Sequence, residues 1–378
     1  MALETLKSAW KLSFPTLLLC LALDFVPGMV LGVNFENIIT SYPILLVALP
    51  GLMGMRGNIF GALASRFTTS LYLGEMEPSL KDRRVYEGLT LSISLAILPV
   101  VILWFIGGIK TEFLNFLPAF AILIASTIFA CLILGFTTSL VTVVPFRKNL
   151  DPDLLATPTI TSVADLVTIP TLILFIVLFE VNDKIVILSA FSFLVLFFVM
   201  LFYFRPSKKV FLEVGIALSF LALLSSVTGS ILESFSEKIY EVFILTVLYP
   251  AILDSLGNYG CIIGSKTSTR LHMGEINHVI DKKSFEYILS LLTTSLALSV
   301  IIFLIGVVVS SILGREAELT LIFFFLYPTI ALLVMLLAHF FAVFAYRHNL
   351  DPDNVTIPTI TTLTDLIATA FVILLAFL

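Results

Sequence analysis

Asn149-Leu-Asp-Pro-Asp153, then Pro158-Thr-Ile-Thr161, then Asp165-Leu166: this stretch returns 200 residues later as Asn349-Leu-Asp-Pro-Asp353, Pro358-Thr-Ile-Thr361 and Asp365-Leu366. Eleven of the eighteen positions are identical, with no gap. Each copy opens an apolar segment and sets one carboxylate inside it. An earlier block repeats at the same offset, from Pro50 to Glu75 and from Pro250 to Glu275. It shares Gly57/Gly257, Asn58/Asn258, Ser65/Ser265, Thr69/Thr269 and Gly74/Gly274. A chain written twice, with matched polar residues inside apolar runs, predicts two copies of one folding unit.

Composition sets the solvent of that unit. Hydrophobic residues make up 59% of the chain and charged residues 12%, against about 25% charged in an ordinary soluble domain. Apolar runs long enough to cross a bilayer, about 20 residues each, recur along the whole length. The expected fold class is an all-α polytopic membrane protein. The expected surroundings are the lipid bilayer, with no soluble domain of any size and no nucleic-acid partner. The first apolar run has no small-residue cleavage site, so a removable signal is not expected. Cys20, Cys131 and Cys261 form no metal or disulfide pattern and read as packing residues.

Eleven apolar spans are expected. The first five and the last five correspond at the 200-residue offset; the sixth, Ile185 to Phe204, has no counterpart. The expected organisation is therefore a five-helix repeat at 1–182, a linking transmembrane helix at 183–208 and a second five-helix repeat at 209–378. The extra crossing decides orientation. With a cytoplasmic N-terminus, sixteen of the 21 lysines and arginines fall inside and four outside, with Arg56 within a span. Cytoplasmic loops carry such an excess. The bias predicts parallel repeats about a pseudo-twofold axis along the membrane normal, and an extracytoplasmic C-terminus in the cell membrane.

Asp165 and Asp365 are the leading candidates for a cation site. Each lies twelve residues beyond Asp153 or Asp353, roughly 18 Å along a helix, which is deep in hydrocarbon. An aspartate there costs about 2.5–3.5 kcal/mol on the insertion scale, so it should face water, a partner or a cation. Thr161 and Thr361 lie one turn before the acids, on the same face. Asn58 and Asn258 either bond neighbouring helices or line the same path. Asp153 and Asp353, near the positive end of a helix, read as caps or as acids at the cytoplasmic mouth. Asp24 and Asp254 are further acids inside spans, without acidic twins: their counterparts are Leu224 and Gly54. Arg56 is matched by Leu256 and could pair with an acid such as Asp24. His339 reads as an interhelical bond before a ligand.

Carboxylates, amides, hydroxyls and backbone carbonyls are hard oxygen donors, suited to Mg²⁺, Ca²⁺ or Mn²⁺ rather than Zn²⁺ or Cu⁺. Mg²⁺ gives up its water reluctantly, so two acids could hold it through its hydration shell. Physical chemistry alone leaves the three ions open.

The block from Pro50 to Asn58, continuing through Ala64-Ser-Arg66 and Thr69, resembles the first motif of MgtE-type magnesium transporters. The likeness is strongest to the duplicated solute carrier family 41. The block from Pro250 to Asn258, with Ser265 to Arg270, resembles that family's second copy. The stretches ending at Asp165-Leu166 and Asp365-Leu366 resemble its fifth-helix motif. The resemblance covers essentially the whole chain. It implies a Mg²⁺ channel or transporter, not an enzyme, with Mg²⁺ as the transported ion and no catalytic cofactor. The ion path would lie between the repeats, lined by Asp165, Asp365, Asn58 and Asn258. One chain could then form one pore, and a higher oligomer stays compatible. Two other classes remain open: a transporter for another cation or solute, and an intramembrane aspartyl protease. The contexts Ala164-Asp165 and Thr364-Asp365 lack the Tyr-Asp and Gly-x-Gly-Asp signatures of such proteases.

Overall fold

The structure is a computed structural model. It describes residues 2–148, 152–206, 208–272, 274–275, 282–316, 319–348 and 352–378. Twelve α-helices and no strand occur among the described residues: α1 (Ala2–Ser41), α2 (Pro43–Tyr72), α3 (Arg83–Lys110), α4 (Phe116–Arg147), α5 (Pro152–Val181), α6 (Asp183–Phe204), α7 (Lys208–Ser234), α8 (Ser236–Glu241), α9 (Phe243–His272), α10 (Lys282–Ile312), α11 (Phe323–Arg347) and α12 (Pro352–Ala376). Backbone polar groups cannot be left unsatisfied in hydrocarbon, so a chain this apolar resolves into helices.

Ten of these helices are long and apolar enough to cross a membrane. The eleventh expected span, α9, is 30 residues long, the same as its repeat counterpart α2. It falls outside the ten because Asp254, Ser255, Asn258 and Tyr259 crowd its middle. The six-residue α8 was not expected; it precedes α9 directly.

The repeat is visible in local geometry. Both α2 and α9 end in the same C-cap, a Schellman turn closed by a glycine with positive φ. Gly74 (φ 67°) and Gly274 (φ 70°) occupy the left-handed position. Glu75 N donates to Ser70 O and Glu275 N to Arg270 O, each at 2.9 Å. The inner bonds of the two turns, Gly74 N to Leu71 O and Gly274 N to Leu271 O, measure 3.2 and 3.0 Å.

Packing divides the chain into two compact units that do not follow the sequence repeats. One unit comprises 1–35 and 234–378; the other comprises 36–233. The first unit therefore takes most of α1 together with α8–α12, and the second takes α2–α6 together with α7. The first helix of each repeat is thus grouped with the remaining helices of the other.

Glycine makes both arrangements possible. In the first unit Gly28 of α1 lies against Val247 of α9, where a Cβ would overlap the Val247 carbonyl oxygen. In the second unit Gly229 of α7 lies against Val47 of α2, and a Cβ would again overlap the carbonyl oxygen. Val47 and Val247 are repeat counterparts. Small residues let helix backbones approach closely in lipid, where van der Waals packing drives association.

Candidate cation site

In the second unit, α5 packs on α2 and α4 and carries Asp165, 9% exposed. Arg56, in the middle of α2, is fully buried. Its Nη2 donates to Thr127 Oγ1 on α4 at 3.3 Å. Its Nε and Nη1 have no hydrogen-bond partner. Asp24, offered by the sequence as one partner for Arg56, belongs to the other unit; within this unit α2, which carries Arg56, packs on α5, which carries Asp165. Asn58, two residues further along α2 within the Gly-Asn pair, is half-buried.

The first unit gathers more acid and no equivalent arginine. Asp24 of α1 is 1% exposed, and its carboxylate lies within 4.8 Å of that of Asp254 on α9. Asn258 Nδ2 donates to Asp254 Oδ2 at 2.6 Å. That bond commits the amide nitrogen to the carboxylate and leaves Oδ1 as an acceptor. Asp365, half-buried on α12, interacts electrostatically with Asp254. Helix α12 packs on α9 and α11, which places the acids of α9 and α12 on neighbouring helices. Thr361 Oγ1 donates to Pro358 O at 3.0 Å, so its hydroxyl is anchored to its own helix while its oxygen keeps acceptor capacity. The side chains of Thr161, Asp153 and Asp353 lie outside the described residues.

Several polar contacts escaped sequence reasoning. Tyr249 Oη and Thr369 Oγ1 bond at 3.0 Å between α9 and α12. Tyr327 Oη donates to Ser255 Oγ at 2.8 Å, and the Tyr259 ring stands edge-on to Tyr327 with centroids 6.5 Å apart. Thr267 Oγ1 and His339 Nδ1 bond at 3.0 Å, in keeping with the interhelical role expected for His339. The signal for the first three was present in the repeat. Tyr249 and Tyr259 stand where the first copy has the apolar Leu49 and Ile59, and Tyr327 where it has the smaller Thr127, so the second copy carries larger phenolic groups inside its spans.

Chemically, carboxylates and an oriented amide on facing helices form a hard-oxygen set. Two carboxylates within 4.8 Å repel unless a proton or a cation lies between them.

Residues 49–177 and 249–375 each match the MgtE family, described as a divalent cation transporter. Solute carrier family 41 member 3 of Rattus norvegicus is 24% identical over 384 residues, covering 92% of this chain and 83% of its own length. Solute carrier family 41 member 2 of Xenopus laevis is 25% identical over 386 residues, covering 91% of this chain and 67% of its own. No solved structure matches the chain. With ten membrane-length apolar helices and two matched stretches whose starts lie 200 residues apart, the chain is a multi-pass membrane protein and belongs to the MgtE family of divalent cation transporters, which it matches twice.

Proposed function

We propose that the chain moves Mg²⁺ across the cell membrane along a path served by both repeats, with Asp165 and Asp365 as the paired acids that receive the ion. The observation that carries this reading is the repeated placement of one carboxylate deep in the last helix of each repeat, α5 and α12. Each charge costs about 2.5–3.5 kcal/mol in hydrocarbon, and a transported cation offsets it at the place where it would otherwise be a defect. The relatives' family supports a divalent ion, and the hard-oxygen donors support Mg²⁺ among such ions. Because Mg²⁺ holds its water tightly, the acids bind it through its hydration shell, which keeps the ion weakly enough held to leave. Asn258, oriented by Asp254, adds a carbonyl oxygen, and Asn58, Thr161 and Thr361 extend the polar lining. The bias of lysine and arginine toward one side supports parallel repeats, with the N-terminus cytoplasmic and the C-terminus outside.

Purified protein in liposomes loaded with a Mg²⁺ indicator tests this. Wild type takes up Mg²⁺, and Ca²⁺ or Mn²⁺ compete according to their affinity. The double substitution D165N/D365N keeps side-chain size and removes both charges, and it abolishes uptake while leaving the gel-filtration profile unchanged. Undiminished uptake by that variant would remove both acids from the path.

A further inference from the structure

The end of α10 is built differently from its repeat counterpart, and a cavity results. Helix α10 is closed by Gly314 at φ 69°, a left-handed position that glycine takes without strain. Arg315 N donates to Ser310 O at 3.0 Å and Gly314 N to Ser311 O at 3.1 Å. The turn therefore carries Arg315 just past the last turn of a membrane-length helix. There, with Glu316, it lines a cavity of about 410 Å³ that is completed by Tyr240, Glu241 and Phe243 from the α8–α9 junction. All of these residues belong to one unit. In the other unit the corresponding corner is closed: Asn115 Nδ2 donates to Ser41 O at 2.6 Å. The 200-residue offset puts Arg315 at the place of Asn115 and Glu241 at that of Ser41. A direct bond in one repeat gives way to two opposite charges beside a cavity in the other.

Those charges do not neutralise one another. Among the described residues no ion pair joins Arg315 to Glu241 or Glu316, and Glu241 is held by Lys238 at 2.5 Å instead. The Arg315 guanidinium lies over the Phe243 ring, 5.5 Å from its centroid, and Nη2 donates to Tyr240 Oη at 3.4 Å. Tyr240 is itself stacked on Phe35, with centroids 6.3 Å apart. A guanidinium resting on a ring keeps its N–H edge for a ligand, and its planar fork of five donors matches the oxygens of a phosphate. Opposite charges around a cavity suit a ligand that carries both signs: a phosphate for Arg315 and an ammonium for the glutamates. The volume lies within the range of small-ligand pockets, about 300–1,000 Å³. Leu304, Val308 and Ile312 are exposed one turn apart on α10 and form an apolar track that runs up to Gly314. A polar cavity at the end of a membrane-length helix, with rings beside it, lies at the level of lipid headgroups.

We propose that this cavity binds one zwitterionic phospholipid of the phosphoethanolamine type. Arg315 and Tyr240 Oη take the phosphate, Glu241 and Glu316 take the ammonium, and the acyl chains lie along the exposed face of α10. The two acids select the amine: a headgroup with a phosphate and no ammonium would set one anion against two others. The apolar track selects a lipid over a free phosphoester, which has nothing to lay on it. The site involves none of the acids inside the spans, so it stands apart from the assignment of the ion path.

Native mass spectrometry of the full chain in detergent tests this, because it counts bound lipids one by one. The probes are dioleoyl phosphatidylethanolamine, dioleoyl phosphatidylglycerol and glycerophosphoethanolamine, the last being the headgroup without its chains. Wild type is expected to hold one phosphatidylethanolamine about tenfold more tightly than phosphatidylglycerol. R315A should weaken binding of both lipids by about tenfold, and R315K, which keeps the charge but not the fork, should recover part of the loss. E241Q/E316Q should still bind phosphatidylglycerol and lose the preference for phosphatidylethanolamine. All three side chains are exposed, so the variants should unfold at the wild-type temperature. Glycerophosphoethanolamine should bind at least about tenfold more weakly than the intact lipid, since it buries no chain. Equal affinity for headgroup and lipid would overturn the lipid assignment. Equal lipid binding by wild type and R315A would overturn the site itself and leave only lipid that surrounds the protein unspecifically.

Discussion

Replacing Gly229 by alanine tests the packing of α7 in the second unit, the less expected feature of the fold. A Cβ at this position would overlap the Val47 carbonyl oxygen and lie 2.5 Å from its carbonyl carbon and 2.8 Å from its Cα. All three obstacles are backbone, so no rotamer change relieves them and α7 must move away from α2. Overpacking of this kind costs about 1–3 kcal/mol, and a backbone obstacle belongs at the upper end. Alanine regains about 1 kcal/mol over glycine in a helix, for a net loss of about 2 kcal/mol. In a unit of this size, 36–233, each kcal/mol moves the unfolding temperature by about 2–4 °C, so G229A should unfold about 4–8 °C lower. Gly215 on the same helix provides the control, because a Cβ there meets only Leu95 Cδ2 at an ordinary 3.7 Å. G215A should therefore equal or exceed wild type. The assay is thermal unfolding in detergent, followed by tryptophan fluorescence; Trp104 of this unit stacks on Phe116. Equal unfolding temperatures for G229A and G215A would refute the close approach of α7 to α2.

Two further predictions concern polar contacts outside the acid pair. Glu75 binds Arg84 at 2.6 Å, and Arg84 also reaches Ser70 Oγ at 3.2 Å; in the second repeat Arg270 binds Glu275 and Ser284 Oγ, so arginine and serine have exchanged places. R84S should cost less than about 1 kcal/mol, as an exposed pair does, with S70R/R84S recovering it, whereas R270A, 9% exposed, should cost about 1.5–3 kcal/mol; chemical or thermal unfolding reads each, and a larger loss for R84S than for R270A would contradict the burial argument. Y249F removes the bond to Thr369 between α9 and α12 and should lower stability by about 0.6–1.7 kcal/mol, with T369V adding little on top; full additivity of the two would mean that they do not act as a pair.

Much of this architecture was readable from the 200-residue offset. The offset pairs α2 with α9, and both are 30 residues with the same glycine-closed turn after them. The regrouping of α1 and α7 was not readable. An apolar stripe carries the same pattern whichever helix it covers, and the deciding contacts run from Gly28 and Gly229 to backbone carbonyls that any sequence supplies. The apolar count also overstated α9, because the residues that give it chemical interest are those that make it less membrane-like. At the site, the acids stood out because a charge inside a span is costly wherever it sits. The surroundings of Arg56 did not, since the sequence does not say which helices pack on α2, and α4 and α5 do. Thr127 and Tyr327, related by the offset, were the available clue: a change of size on α4 answers the change of charge on α2.

The most direct measurement is the position of the ion. Crystals grown with Mn²⁺ in place of Mg²⁺ give an anomalous signal that marks a divalent cation independently of any functional assay. The account predicts a peak served by the Asp165 and Asp365 carboxylates, held through water as a small hard ion that keeps its hydration shell, and lost in D165N/D365N. A well-ordered Mn²⁺ site remote from both Asp365 and Asp165, retained when both are neutralised, would contradict it.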